Sequence, residues 1–259
     1  MTVGPSRLSQ IETPWSIIRR AHNGSEEDVR TAREALLESY GGAIRRYLMA
    51  VLRDEDATDE LFQEFSLKLA RGDFESASPD RGHFRSFVKT TIYHLIVDYR
   101  RRTNRNKVRA LGVSDTVAAP DGVDGDEPFH QLWRQELLDR SWARLAAAEK
   151  ERKAPYYSAL RLLTDEPSQS SEAVAASLSE RLGRTFTAEN TRQVICRARR
   201  MFADYLVDEV SVSLDSCSRE EIEQELIDLN LFRYCRNALA NKPTRPQGRQ
   251  SSSAEVPVE

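Results

Sequence analysis

Apolar residues recur along most of this chain at steps of three and four, the spacing of one face of an α-helix. In HFRSFVKTTIYHLIVDYRRRT, Phe84, Phe87, Val88, Thr91, Ile92, Leu95, Ile96 and Tyr99 draw one broad stripe. The preceding DATDELFQEFSLKLA predicts another helix. At about 100° per residue, Leu61, Phe62, Phe65 and Leu69 share its core face, and Leu67, Gln63 and Glu60 stand on the far side. An apolar side chain flanked by Gln and Glu on an outer face suits a docking patch, although a lone exposed leucine is also an ordinary surface feature. Between these helices GDFESASPDRG is rich in turn-forming residues and predicts a loop.

The same periodicity organises the rest of the chain. ETPWSIIRRAH carries a short helical pattern, and NGSEEDVRTAREALLESY opens with Ser25 and Asp28 spaced like an acidic capping box. Gly41-Gly42 interrupts that pattern before AIRRYLMAVLRD resumes it, predicting two helices or one bent helix ending near Arg53. FHQLWRQELLDRSWARLAAAEKERK predicts a helix with Leu132, Leu138, Trp142 and Leu145 among its buried residues, and APYYSALRLLTDE predicts the next. Farther on, Ser171 or its neighbour can cap a helix running to Leu182, Gly183 can end it, and Thr187 can cap a longer helix from Ala188. In that longer helix Thr191, Ile195, Ala198, Phe202 and Leu206 face inward, and Asn190, Arg192, Gln193, Cys196, Arg197 and Arg200 face out. Helix, short turn, helix, with Asn, Gln and Arg near the second N-terminus, is the layout of a helix-turn-helix whose second helix enters a major groove. SREEIEQELIDLNLFRYCRNAL predicts an acidic amphipathic helix packed on this domain or on a partner.

The fold class expected is therefore all-α, with two helical domains joined by a flexible linker. The linker is SDTVAAPDGVDGDEP, which holds five acids, two glycines, two prolines and no base. The expected divisions are an N-terminal extension (1–24), a first helical domain (25–110), the acidic linker (111–128), a helix-turn-helix domain (129–210), a C-terminal helical extension (211–241) and a disordered polar tail (242–259). No repeat of solenoid period is present.

Charge sharpens this picture. The 259-residue chain has a net charge of −3, yet Phe84 to Arg109 carries +7 and Arg181 to Arg200 carries +5. Concentrated positive charge interleaved with aromatics suits a polyanion, against the plain alternative of a solvated helix face. Three widely spaced cysteines and four scattered histidines give neither a disulfide framework nor a zinc pattern, so reduced thiols, no metal and no cofactor are expected. With no signal-like or bilayer-length apolar run, the expected location is cytoplasmic, away from membranes. No Gly-rich phosphate loop and no nucleophile-base spacing point to catalysis, so no catalytic residue is assigned.

Taken together, DATDELFQEFSLKLA, FRSFVKTTIYHLIVDYRRR and TRQVICRARRMFADYL resemble regions 2 and 4 of bacterial RNA polymerase sigma factors, sigma-70 family, of the extracytoplasmic-function (ECF) group. PWSIIRRAH and SPDRGHFRS resemble a subgroup with Trp-Ser near the N-terminus, and the likeness runs from about Trp15 to Val210. It implies a factor that binds core RNA polymerase and directs promoter recognition and DNA opening. On that basis Asp59, Glu60, Gln63, Glu64 and Leu67 would dock on the polymerase. Asp80, Arg81, Arg85, Lys89, Tyr93, Arg100, Arg101 and Arg102 would bind the minus-ten element. Tyr93 and His94 would stack on an unpaired base, a contact worth roughly 1–3 kcal/mol, while the cations neutralise phosphates. Thr187, Asn190, Arg192, Gln193, Cys196, Arg197 and Arg200 would read the minus-thirty-five element in duplex form. The partners implied are core polymerase and both double- and single-stranded promoter DNA, with room for an anti-sigma factor or other regulator. The extension after Ser211 lies outside the common two-domain core and is open to a regulatory role. Two other classes fit parts of the pattern. A helix-turn-helix regulator acting without polymerase would bind duplex DNA alone and not need Leu67. A helical regulatory adaptor would bind no DNA.

Overall fold

The computed structural model describes residues 26–71, 84–111, 126–214 and 218–241, and among them every regular element is a helix. In chain order these are α1 (Glu26–Leu52), α2 (Glu55–Arg71), α3 (Phe84–Leu111), α4 (Asp126–Arg152), α5 (Tyr156–Asp165), α6 (Ser171–Leu182), α7 (Ala188–Val212), α8 (Arg219–Asp228) and α9 (Phe232–Ala240). The expected short helix around Trp15, the cap at Ser25, the loop after α2, most of the acidic segment and the polar tail lie outside the described residues.

α1 runs without a break through Gly41-Gly42. A Cβ on Gly41 would meet Phe62 Cζ at 3.2 Å, and one on Gly42 would meet Glu136 Oε2 at 2.7 Å. The two glycines therefore thin the helix where α2 and α4 press on it. Each costs roughly 1 kcal/mol in helix propensity relative to alanine, which the close approach offsets. At the end of α1, Arg53 takes a left-handed conformation (φ 53°). Asp54 then starts α2, its carboxylate accepting from the Ala57 N–H at 2.9 Å.

The stripe on α3 is inward as expected: Phe84, Val88, Ile92, Leu95 and Ile96 are buried against Leu61, Phe65 and Leu69 of α2 and Leu36, Ile44 and Leu48 of α1. α4 completes this bundle. Trp133 stacks on Tyr40 with ring centroids 5.1 Å apart, and Phe129 meets Tyr47 edge-on at 5.1 Å. The second half of α4 turns to other partners, Leu145 packing with Tyr156, Leu160 and Ala198. Of the four residues expected inside α4, Leu145 is fully buried, while Leu132, Leu138 and Trp142 are half-buried on its flanks. Its inward row is Phe129, Trp133, Leu137, Ser141, Leu145 and Ala148. One helix thus belongs to both halves of the chain, and the acidic segment is not their only connection.

A smaller core joins α5, α6 and α7 through Ala159, Leu162, Val174, Leu178 and Ile195. The C-terminal extension forms two helices where one was expected. Asn230 turns left-handed (φ 56°), and the Leu231 N–H reaches back to the Leu226 carbonyl at 2.8 Å. Both α8 and α9 pack on α7, and Leu226, Cys235 and Leu239 join the large core. Neither Cys196, which is exposed, nor Cys235, which is buried, forms a disulfide among the described residues.

Candidate polymerase and nucleic-acid surfaces

α2 owes its two-faced character to the spacing read above. Its core face is sealed, and Leu67 on the opposite side is 53% exposed. Gln63 and Glu60 are exposed with it, whereas Asp59 and Glu64 are half-buried. These last two tie α2 to its neighbours: Asp59 pairs with Arg45 of α1, and Glu64 accepts from Arg102 of α3 at 2.8 Å. Arg102 also lies 3.9 Å from Glu60. Surface pairs of this kind contribute about 0–1 kcal/mol, so an incoming partner can exchange them cheaply.

The basic face of α3 is divided. Tyr93 is 42% exposed with His94 edge-on to it at 5.8 Å, and Arg101 is open to solvent beside Asp98. Lys89 and Arg100 are half-buried, Arg102 is held by α2 as described, and Asp80 and Arg81 lie outside the described residues. Arg85 differs from expectation. It was assigned to a DNA phosphate, but it is 4% exposed and its guanidinium grips Glu225 of α8, Nε donating to Oε1 at 2.8 Å and Nη2 to Oε2 at 3.0 Å. Asp228 Oδ2 stands 3.7 Å from Nη2, and Nη1 is buried without a hydrogen-bond partner. The cause is the position of Arg85 on the flank of the apolar stripe, where α8 closes over it. Glu225 is the residue that the sequence reading missed. Its signal was the acidic run REEIEQELID set against the +7 segment in one chain.

His130 at the start of α4 shares this neighbourhood. Its pKa is lowered, first by burial and then by the charges of Arg85 and Lys89, with Glu225 and Glu127 opposing. The folded state therefore resists protonating it, so its contribution is complete above the ordinary histidine value of about 6.5 and is lost as pH falls below that. Urea midpoints at pH 7.5 and 5.5 are expected to differ less in His130→Gln than in the parent; an unchanged difference would show that His130 is not a source.

The α6–α7 pair follows the sequence closely. Ser170 caps α6, its side chain accepting from the Ala173 N–H at 3.3 Å, and Gly183 ends it at φ 64°, a conformation with no Cβ penalty for glycine. Thr187 caps α7, accepting from the Asn190 N–H at 3.2 Å. Between them the turn is anchored by the Phe186 N–H donating to Ser179 Oγ at 2.9 Å. Thr191, Ile195, Ala198 and Leu206 are buried and Phe202 is half-buried. Thr187, Asn190, Arg192, Gln193, Cys196, Arg197 and Arg200 are all exposed, as is Arg199. Arg192 leans toward Glu189 at 3.6 Å, which partly offsets the acid at this helix start.

Residues 36–106 match the family Sigma-70 region 2. The matched stretch covers the second part of α1, all of α2 and most of α3, including Leu67, Arg85 and Tyr93. It supports a place for the chain among sigma-70 factors, with the binding of polymerase and the opening of promoter DNA that region 2 implies. No curated protein and no solved structure matches the chain significantly. Among the described residues no group of His, Cys, Asp and Glu is arranged to hold a metal ion, and no helix is long and apolar enough to cross a membrane.

Proposed function

We propose that this chain is a cytoplasmic sigma factor of the extracytoplasmic-function kind. It binds core RNA polymerase through the outer face of α2, holds the separated minus-ten strand along α3, and reads duplex DNA upstream with α7. The observation that carries the proposal is the region 2 match over a bundle in which Leu67 stays exposed on the side of α2 facing away from the core. A buried leucine would have no docking role, and a region 2 match without an outward apolar residue would leave polymerase binding without an anchor. Tyr93 and His94 supply stacking surfaces, and Arg101 a nearby cation. On α7, Arg197 and Gln193 are side chains able to bond two base-edge atoms at once.

Transcription reconstituted from purified core polymerase, this chain and a promoter library tests the proposal. Transcripts that depend on the chain and share upstream and minus-ten sequences are expected. Sequence-specific duplex binding without any association with core polymerase would favour the regulator that acts alone. On a promoter so identified, Arg197→Ala is expected to weaken upstream-element recognition by about tenfold, read as a lost upstream footprint. An unchanged footprint would remove α7 from the groove.

A further inference from the structure

The buried contact between α3 and α8 is unusual for a permanent structural element. Arg85 presents a planar fork suited to two oxygens of one acid group, and Glu225 fills it in the bidentate manner that a phosphate would. Yet Nη1 is buried with no acceptor, and a buried donor left unmet makes the docked pair a poor source of stability. α8 packs on α7 and α9, and its Ile222 and Leu226 join the large core, so the Arg85–Glu225 pair adds a polar contact to an apolar seat. α8 carries five acids, Glu220, Glu221, Glu223, Glu225 and Asp228, against Arg219 alone. Two of these acids, Glu225 and Asp228, stand against Arg85, and Lys89 and Tyr93 follow it four and eight residues along the same face of α3.

Resting on the sigma-factor reading above, we infer that α8 is an intramolecular latch: Glu225, with Asp228 beside it, occupies Arg85 in place of a DNA phosphate, and α8 and single-stranded DNA compete for that side chain. Release of α8 extends the row of Arg85, Lys89 and Tyr93 into one continuous strand-binding face. While α8 is docked, the row is cut short and shielded by acid.

The test uses the full chain, unmodified and as Glu225→Gln with Asp228→Asn, and a fluorescent single DNA strand of mixed sequence, with and without core polymerase. The double variant keeps side-chain shape and removes the competing charge. It is expected to bind the strand about tenfold more tightly, with a salt dependence of log K steeper by about 0.7, the increment for one further phosphate on a single strand. In the unmodified chain, backbone hydrogen exchange over residues 219–228 is expected to rise when the strand binds, a readout that does not depend on any variant folding. Equal affinities, or strand binding with α8 still protected, would overturn the latch while leaving the sigma-factor reading intact. Absence of binding to the strand and to core polymerase by both forms would overturn both.

Discussion

Trp133→Ala is expected to destabilise the chain by about 3–5 kcal/mol, the range for emptying an aromatic site in a packed core. The side chain is 1% exposed, stacked on Tyr40 and 5.7 Å from Phe129, at the place where α4 enters the α1–α3 bundle. Its indole Nε1 has no acceptor, so the residue contributes volume and ring contacts and no hydrogen bond. Trp133→Phe should cost less than the alanine change, because it keeps one ring and leaves a smaller cavity. Urea unfolding followed by helical circular dichroism compares the two. A loss under about 1 kcal/mol for alanine would mean that α4 does not seal the first bundle. An alanine-sized loss for phenylalanine would mean that the N–H has a partner after all.

The second large effect concerns the partner surface. Leu67→Asp combined with Gln63→Ala is expected to reduce affinity for core RNA polymerase by at least about tenfold, the loss typical of a central apolar anchor. Folding should change little, because Leu67 is 53% exposed and substitutions at such positions usually stay within about 0.5 kcal/mol. The pair of substitutions leaves Tyr93 and Arg101 on α3 untouched. Binding of a single DNA strand by the free chain should therefore persist while polymerase binding measured by co-purification falls. Undiminished polymerase affinity would remove the outer face of α2 from the interface, and equal losses in both assays would point to a general folding defect.

Much of the fold was legible in the sequence because it rests on local rules. The α3 stripe, the opposed faces of α2, the Gly183 stop and the Thr187 cap are each decided by residues within a few positions of one another. What escaped the sequence depends on neighbours distant in the chain. Gly41-Gly42 looked like an interruption because propensity is a property of one helix, while their use, admitting Phe62 and Glu136, belongs to helix contacts. Trp133 was passed over because α4 is apolar on a broad face, and only the presence of two different partners divides that face into its inward row. The sigma-factor likeness puts Arg85 on the minus-ten DNA beside Lys89 and Tyr93. Its actual setting is decided by Glu225, 140 residues away, which no periodicity can anticipate. The candidate α7 face was legible for the opposite reason: caps at its start and one apolar stripe fix which side chains remain free.

The sharing of α4 also bears on how the molecule can be taken apart. Composition marks the acidic segment as the natural place for module exchange. A transplant beginning there would carry Phe129, Trp133 and Leu137 bare on the donated piece and leave an open trough beside Tyr40 and Tyr47 on the recipient. Swapping the second half for another therefore demands a matched first helix as well, because the seam between the halves is built from both.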